Sequence, residues 1–191
     1  KFMSFDGSGK KHFFLIGPMG AGKTTLGKHL AKALNICFFD VDNEVVKTAG
    51  ADIQWIFDVE GESGFRTRES KLLEKISQNQ SPALIATGGG VILSEKNCEI
   101  MKTTGTVIYL YVSESCLFER LKRDKKRPLL QTSDRKDTIS KIFKIRDPLY
   151  KQLADITYMS NGLLIKRSVS DLIKKIEEFA QLKNIAPHVQ A

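Results

Sequence analysis

Short apolar runs recur along the chain and alternate with longer stretches of helical spacing. The runs have the length and composition of strands buried in a sheet. They occupy 13–16, 36–39, 83–86, 107–112 and 156–158. Each is followed by a stretch in which apolar residues recur every three or four positions, as on one face of a helix. The alternation predicts one α/β domain, a three-layer sandwich with a central, mostly parallel sheet of about five strands.

The stretches with helical spacing cover 26–34, 51–78, 95–101, 114–121, 137–150 and 169–182. Glycines at 61 and 64 interrupt the longest of them, so two helices are predicted there. We interpret 1–11 as a flexible leader, 12–184 as the single domain and 185–191 as a tail.

Composition limits the class of protein without naming its activity. The 191 residues suffice for a substantial core, and 41% hydrophobic with 27% charged residues is ordinary for a soluble globular protein. No apolar stretch approaches the roughly 18 residues of a membrane span, so we expect no membrane contact and a cytoplasmic location. The formal charge of +8 suits a nucleic-acid partner and an enzyme with anionic substrates equally well.

The cysteines indicate a reduced protein. Cys37, Cys98 and Cys116 are odd in number and widely spaced, without a CxxC pair, so neither a disulfide framework nor a zinc site is indicated. We expect Cys37 to lie in the core. The histidines are equally scattered, and we expect them at the surface rather than around a metal. They are His12, His29 and His188.

The strongest motif is GPMGAGKTT at residues 17–25, which matches the pattern GxxxxGK(S/T). A predicted strand precedes it and a predicted helix follows, which is the context that a phosphate-binding loop requires. Its glycines let backbone amides point at phosphate oxygens from the positive end of the helix. Lys23 then supplies charge to the outer phosphates, and the Thr24 hydroxyl a ligand for Mg²⁺. A nucleoside triphosphate site is predicted.

Two carboxylates, Asp40 and Asp42, follow the second strand. Ligands of parallel sheets lie beyond the carboxyl ends of strands, so both are expected beside the phosphate loop. In an extended chain they would point to the same side, one toward the Mg²⁺ shell and the other toward a substrate hydroxyl. The alternative is that Asp42 is merely the N-cap of a helix over 43–47.

Three further stretches carry candidate chemistry. Arg66 and Glu69 are one helical turn apart, so the carboxylate could hold the guanidinium, although such pairs are often surface decoration. The glycines at 88–90 permit close approach of the backbone to a ligand, or simply a tight connection. The basic run at 122–127, ended by Pro128, predicts a mobile lid, with a solvated charge run or a nucleic-acid patch as alternatives.

Taken together, these stretches resemble the shikimate kinase family. The resemblance spans about residues 12–182 and implies a nucleoside-monophosphate-kinase-like fold, with a substrate-binding segment at about 42–78 and a lid at about 122–136. It implies transfer of the γ-phosphoryl group of ATP to the 3-hydroxyl of shikimate, with Mg²⁺ as cofactor. The segments that carry it, in the order of the family, are 17–25, 38–42, 64–69, 87–90, 123–130 and 146–150.

The resemblance also implies roles for individual residues. Lys23, Asp42 and Arg127 are the implied catalytic residues, with Asp42 at the reacting hydroxyl and Arg127 reaching the phosphates from the lid. Thr24 and Asp40 are the implied Mg²⁺ ligands. The implied ATP-binding residues are Gly20, Ala21, Gly22, Lys23, Thr24, Thr25, Arg120 (against adenine) and Arg127. The implied substrate-binding residues are Asp42, Phe57, Phe65, Arg66, Gly88, Gly89, Gly90 and Arg146.

Three other functions are alternatives for this sequence. A P-loop kinase for gluconate or a nucleoside monophosphate would lack the joint presence of Arg66, the triple glycine and Arg146 in this order. A GTPase would carry an Asn-Lys-x-Asp motif, which appears nowhere in the chain. A nucleic-acid-binding NTPase rests only on the net charge and the basic run. We therefore expect shikimate and ATP as substrates, no nucleic-acid or membrane partner, and a monomer.

Overall fold

One parallel sheet of five strands forms the centre of the computed structural model, which describes residues 10–122, 130, 134–159 and 164–185. The spatial order of the strands is β2-β3-β1-β4-β5. All four pairings are parallel, so the predicted α/β sandwich is confirmed. The strands are β1 (His12–Ile16), β2 (Cys37–Asp40), β3 (Ala83–Ala86), β4 (Gly105–Tyr111) and β5 (Ile156–Met159).

Helices cover both faces of the sheet because side chains alternate along each strand. Phe13 and Leu15 of β1 belong to one core cluster, and Phe14 and Ile16 to another on the opposite face. A short 3₁₀ turn spans Val91–Leu93. The helices are α1 (Lys23–Leu34), α2 (Val41–Ala49), α3 (Ile53–Ser77), α4 (Glu95–Thr104), α5 (Glu114–Leu121), α6 (Arg135–Leu153) and α7 (Ile165–Ile185).

Strand register brings three of the predicted segments to one edge of the sheet. Leu15 of β1 and Asp40 of β2 both lie level with Ala86 of β3. The three strands therefore end at the same edge of the sheet. β1 leads into the loop at 17–25, β2 into α2, and β3 into the triple glycine. Brought together at the carboxyl ends of neighbouring parallel strands, the three segments can line one ligand site.

The chain does not stay extended beyond β2. Helix α2 begins at Val41, and Asp40 is its N-cap, with its Oδ1 accepting a hydrogen bond from the backbone N–H of Asn43 at 3.1 Å. The prediction that Asp40 and Asp42 project from one side of an extended chain is therefore wrong, and so is the alternative that Asp42 is the cap. Asp42 lies in the first turn of α2, where the positive end of the helix dipole stabilises a carboxylate.

The long helix α3 is broken at Gly61 only. Gly61 has φ 71° and ψ 178°, a conformation that is open to glycine but strained for other residues. Gly64 stays helical, so the predicted second interruption is absent. Across the break, the Arg68 guanidinium donates two hydrogen bonds to the Glu60 carboxylate, at 2.7 and 2.8 Å. This pair joins the two halves of α3 around the bend.

Two burial predictions are wrong. Cys37 is exposed because it begins β2, which is an edge strand with only partly buried residues. His12 is 1% exposed, because β1 is the central strand and its first residue lies under the end of α3. His12 Nε2 donates to the carbonyl oxygen of Ser77 at 3.1 Å. His29 is exposed, as predicted, and His188 lies outside the described residues.

His12 should make folding stability depend on pH. Burial lowers the pKa of His12, whereas the hydrogen bond to Ser77 opposes the shift. In the unfolded chain it takes up a proton below about pH 6.5, while the folded protein keeps it neutral to lower pH. Protonation thus favours the unfolded state. We expect the free energy of unfolding, measured by urea denaturation at two pH values, to fall as the pH drops through about 6.5.

The variant His12→Gln should show a smaller decrease in unfolding free energy over the same pH interval. The matched control is His29→Gln, since His29 is an exposed histidine on α1. It should keep the full decrease of the wild type. An equal decrease in His12→Gln and wild type would contradict the prediction.

Candidate active site

The phosphate loop, residues 17–25, joins β1 to α1. Gly20 and Gly22 have φ of 80° and 90°, so the loop takes left-handed turns at both. Gly22 is the N-cap of α1 and has no side chain to cap it, which leaves the helix N-terminus to a ligand. Lys23 is 8% exposed, and its ammonium donates to the carbonyl oxygens of Gly17 at 2.7 Å and Pro18 at 2.9 Å.

A polar cleft of about 620 Å³ opens above this loop. We call it the phosphate-loop cleft. Its basic end is Lys23 and its acidic side is formed by two carboxylates, so it suits a polyphosphate with a divalent cation. The residues that line it are Met19, Gly20, Gly22, Lys23, Thr24, Thr25, Asp40, Asp42, Thr87 and Gly89.

Thr24 and Asp40 form one hydrogen-bonded pair in this cleft. The Thr24 hydroxyl donates to Asp40 Oδ2 at 2.5 Å. A hydroxyl oxygen and a carboxylate oxygen are hard ligands of the kind that Mg²⁺ takes, with the rest of its shell left to water and phosphate. The pair therefore fits Mg²⁺. No group of three or more His, Cys, Asp or Glu within the described ranges is arranged to hold a metal ion.

A second cleft, of about 430 Å³, adjoins the first. We call it the arginine cleft. Met19, Asp42 and Gly89 line both clefts, so the two share a wall. A molecule in the arginine cleft would lie beside the end of a polyphosphate in the other. The lining residues are Met19, Asp42, Ile53, Phe57, Phe65, Arg66, Gly88, Gly89, Gly90 and Arg146.

Two guanidinium groups give the arginine cleft its charge. Arg146, on α6, is 8% exposed. Arg66, on α3, donates to Glu69 at 2.8 Å and to Glu62 at 3.0 Å, so the predicted pairing of Arg66 with Glu69 is present. Burial alone would lower the pKa of Arg66, but these carboxylates raise it above the usual value. Two fixed guanidiniums on one pocket are suited to a carboxylate ligand.

Glu69 is the buried counterpart of Arg66. Its side chain is fully buried, and burial raises its pKa despite the opposing Arg66 guanidinium. Glu69 Oε1 has no hydrogen-bond partner in the part of the chain that the structure describes. A Cβ on Gly88 would lie 2.3 Å from this oxygen and 2.9 Å from Asp42 Oδ1, so a side chain at this position would clash with both carboxylates.

The remaining wall of the arginine cleft is apolar and belongs to the two halves of α3. The rings of Phe57 and Phe65 lie 5.2 Å apart at 42°, and the Arg66 guanidinium lies 5.3 Å from the Phe65 ring centre. A Cβ on Gly90 would lie 2.2 to 2.6 Å from the guanidinium atoms of Arg66. Only glycine leaves room for Arg66 in this position, which explains one residue of the triple glycine.

Two predicted ATP-binding residues, Ala21 and Arg120, are not among the described residues that line the phosphate-loop cleft. The Arg120 guanidinium, at the end of α5, donates to the Gly20 carbonyl at 3.0 Å. Ala21 is 1% exposed and packs into the core beneath the loop. Arg127 and most of the predicted lid lie outside the described residues. Of the lid that is described, Leu130 is buried in the core cluster that contains β1 and α1 residues.

Sequence reasoning missed three lining residues. Met19 has a recognisable signal, since it lies between the glycines of the phosphate loop. Thr87 also has one, because it precedes the triple glycine and its hydroxyl donates to the Leu15 carbonyl at 3.0 Å. Ile53 has none, because its apolar position in α3 is equally typical of the core.

No helix in the described ranges has the length and apolar content to cross a membrane.

The parallel sheet, the glycine-rich loop ending in Lys23-Thr24, the Thr24–Asp40 pair and the adjoining small cleft define a P-loop kinase of small molecules. The comparisons with known proteins specify the family. The family model described as shikimate kinase matches residues 19–177. The chain belongs to the shikimate kinase family.

Individual relatives agree. The chain is 46% identical over 168 residues to a shikimate kinase of Actinobacillus pleuropneumoniae serotype 5b (strain L20), covering 88% of this chain and 96% of the relative. A structure of shikimate kinase from Acinetobacter baumannii in complex with shikimate is 41% identical, with a TM-score of 0.80 and coverage of 95% and 96%. A gluconokinase from Sinorhizobium meliloti 1021 has a TM-score of 0.59 at 15% identity, over 95% of this chain and 99% of that one, which shows a shared fold alone.

Proposed function

We propose that this protein transfers the γ-phosphoryl group of ATP to the 3-hydroxyl of shikimate, giving shikimate 3-phosphate. The observation that carries the proposal is the shared wall of the two clefts. On one side lies a phosphate loop with Lys23, and on the other a pocket with two guanidiniums, for the single carboxylate of shikimate. Asp42 belongs to both sides, where the acceptor hydroxyl and the phosphoryl group would meet.

Phosphoryl transfer requires positioning and charge more than covalent chemistry from the protein. Lys23 and the amides of the phosphate loop hold the phosphates, and Lys23 stabilises negative charge on the phosphoryl oxygens in the transition state. Arg66 and Arg146 hold the carboxylate of the acceptor, and the Phe57 and Phe65 rings bound its carbon skeleton. The acceptor is thereby held with one hydroxyl toward the phosphates.

In this proposal Asp42 acts on the reacting hydroxyl. It accepts a hydrogen bond from that hydroxyl, which directs an oxygen lone pair toward the γ-phosphorus, and it takes the proton as the new O–P bond forms. The bond between the γ-phosphorus and its bridging oxygen breaks at the same time, and ADP leaves with that oxygen. Thr24 and Asp40 would hold Mg²⁺, which would neutralise charge on the phosphates when bound. The resemblance alone supports Arg127 as the lid residue that reaches the phosphates, and Arg120 as the residue beside adenine. We also propose that the protein is a monomer and is located in the cytoplasm.

The test is ADP release from Mg·ATP in the presence of shikimate, quinate, gluconate or AMP, each added separately. Stimulation by shikimate alone is expected. Quinate retains the carboxylate but changes the ring, gluconate is the acceptor of the gluconokinase with the same fold, and AMP is the acceptor of a nucleotide kinase. Stimulation by any acceptor other than shikimate would overturn this ranking of substrates.

We expect Arg66→Lys and Arg146→Lys each to raise the KM for shikimate. An ammonium lacks the planar fork that contacts both carboxylate oxygens. Losing one charge-assisted hydrogen bond out of solvent costs about 1.5 to 3 kcal/mol, which is a roughly 10- to 150-fold rise in KM. Steady-state kinetics with shikimate as the varied substrate measure it.

The matched control is Arg68→Lys, on the same helix. Arg68 is paired with Glu60 and lines neither cleft, so its KM for shikimate should stay at the wild-type value. If both Arg66→Lys and Arg146→Lys kept the wild-type KM, these residues would not bind the carboxylate.

A further inference from the structure

The hydroxyl of Tyr150 lies where three parts of the site meet. Tyr150 is 1% exposed and follows Arg146 by one turn of α6. Its Oη donates a hydrogen bond to the carbonyl oxygen of Gly89. Gly89 in turn packs on the phosphate loop, since a Cβ there would lie 3.3 Å from Met19 N and 3.6 Å from Gly17 O. The hydroxyl therefore links α6 to the triple glycine, which itself packs against the phosphate loop.

The ring of Tyr109, in β4, supports the ring of Tyr150. The two rings stack with centroids 5.0 Å apart and an interplanar angle of 28°. Tyr109 Oη donates to Asp147 Oδ1 at 2.8 Å, and Asp147 directly follows Arg146. A Cβ on Gly17 would lie 3.4 Å from the Tyr109 ring. The stacked pair thus touches the phosphate loop through one ring and the triple glycine through the hydroxyl of the other.

Tyr150 can serve only as a hydrogen-bond donor to this carbonyl. Burial raises the pKa of its hydroxyl. The charge and hydrogen bonding of the Arg146 guanidinium and the charge of Arg66 oppose the shift, and Glu69 adds to it. The hydroxyl stays protonated at neutral pH. The contact with the Gly89 carbonyl is therefore maintained throughout the pH range in which a kinase would be assayed.

We propose that Tyr150 is a positioning residue for phosphoryl transfer, whose hydroxyl holds the peptide between Gly89 and Gly90 and so sets the spacing of the two clefts. A trans peptide is planar, so holding the Gly89 carbonyl also directs the Gly90 N–H the opposite way. Gly89 lines both clefts, and Gly90 abuts Arg66. A misplacement of about 1 Å between reacting groups can cost on the order of 10²-fold in rate.

The inference rests on the proposed function, and Tyr150→Phe tests it because the ring and its stack remain while the hydroxyl is lost. We expect kcat with shikimate to fall about tenfold or more, with ATP affinity in the absence of shikimate changed by less than about twofold. A loss of folded protein would lower the apparent kcat and the number of ATP-binding sites in the same proportion, with the affinity for ATP unchanged. A kcat equal to that of the wild type would overturn the proposal.

The matched control is Tyr158→Phe in β5. Tyr158 is 4% exposed, and its hydroxyl has no hydrogen-bond partner among the described residues. Tyr158 belongs to the core cluster on the opposite face of the sheet from Tyr109 and Tyr150, so kcat should keep the wild-type value. A loss in Tyr158→Phe equal to that in Tyr150→Phe would mean that any buried hydroxyl matters, and the positioning role would be lost.

Amide hydrogen exchange gives a readout that does not depend on the acceptor. Exchange in the peptide covering residues 88–93 should be faster in Tyr150→Phe than in wild type, and unchanged in Tyr158→Phe. Unchanged exchange in Tyr150→Phe would overturn the positioning role even if shikimate proved a substrate. Faster exchange together with an inactive wild type would instead refute the proposed acceptor while supporting the role of Tyr150 in holding the loop.

Discussion

Lys23→Ala is expected to lower kcat by about 10²-fold or more while leaving the fold intact. The ammonium is nearly buried at the base of the phosphate-loop cleft, where charge acts more strongly than in water. Losing one such electrostatic contact to a transition state typically costs on the order of 10² to 10³ in rate. Coupled measurement of ADP release gives kcat, and circular dichroism during thermal unfolding reports the fold.

The fold should survive the loss of the hydrogen bonds that Lys23 donates to the loop carbonyls of Gly17 and Pro18. These carbonyls lie beside an open cleft and can accept hydrogen bonds from water instead. The matched control is Lys28→Ala, an exposed lysine on the same helix. It should turn over at the wild-type rate. Wild-type turnover in Lys23→Ala would mean that the phosphate loop is not the site of catalysis.

Asp42→Asn is expected to lower kcat by about 10²-fold or more, with a much smaller effect on ATP affinity. The substitution keeps the shape of the side chain but removes its charge and its capacity to take a proton. General-base and orienting groups typically contribute 10² to 10⁴ in rate. Kinetics with both substrates varied separate kcat from the two KM values, and nucleotide titration gives the affinity for ATP.

The matched control for this substitution is Asp58→Asn, an exposed carboxylate on α3 that lines neither cleft. It should behave as the wild type. A second comparison is Asp40→Asn, which should weaken binding of Mg·ATP because Asp40 pairs with Thr24. If Asp42→Asn abolished ATP binding and kept kcat at saturation, the roles proposed for Asp40 and Asp42 would have to be exchanged.

Some features follow from the sequence because they depend on residues close together in the chain. The phosphate loop is one, since a strand, a glycine-rich turn and a helix in succession leave little choice of backbone. The Arg66–Glu69 pair is another, because residues three apart on a helix are neighbours wherever the helix lies. The alternation of apolar runs likewise indicated a parallel sheet covered by helices.

Local signals were less informative where two of them compete. After β2 the chain could have remained extended, and both carboxylates would then have shared one side. Instead Asp40 accepts the Asn43 N–H and α2 begins at once, because Asp is among the residues most favoured at a helix N-cap. Gly61 and Gly64 posed the same difficulty. Gly61 takes a positive φ and breaks α3, whereas Gly64 does not.

Burial and the meeting of distant segments were decided by the tertiary structure. Strand order places β1 in the centre and β2 at the edge, which buries His12 and exposes Cys37 although both lie at or next to the start of similar apolar runs. The contact between Tyr150 and Gly89 joins residues 61 positions apart. The sequence by itself thus determined the phosphate loop with Lys23 and Thr24 through local spacing, whereas Phe57, Phe65 and Arg146 were implied only by the family resemblance. How the two clefts share a wall depended on sheet register and helix packing, which local spacing does not encode.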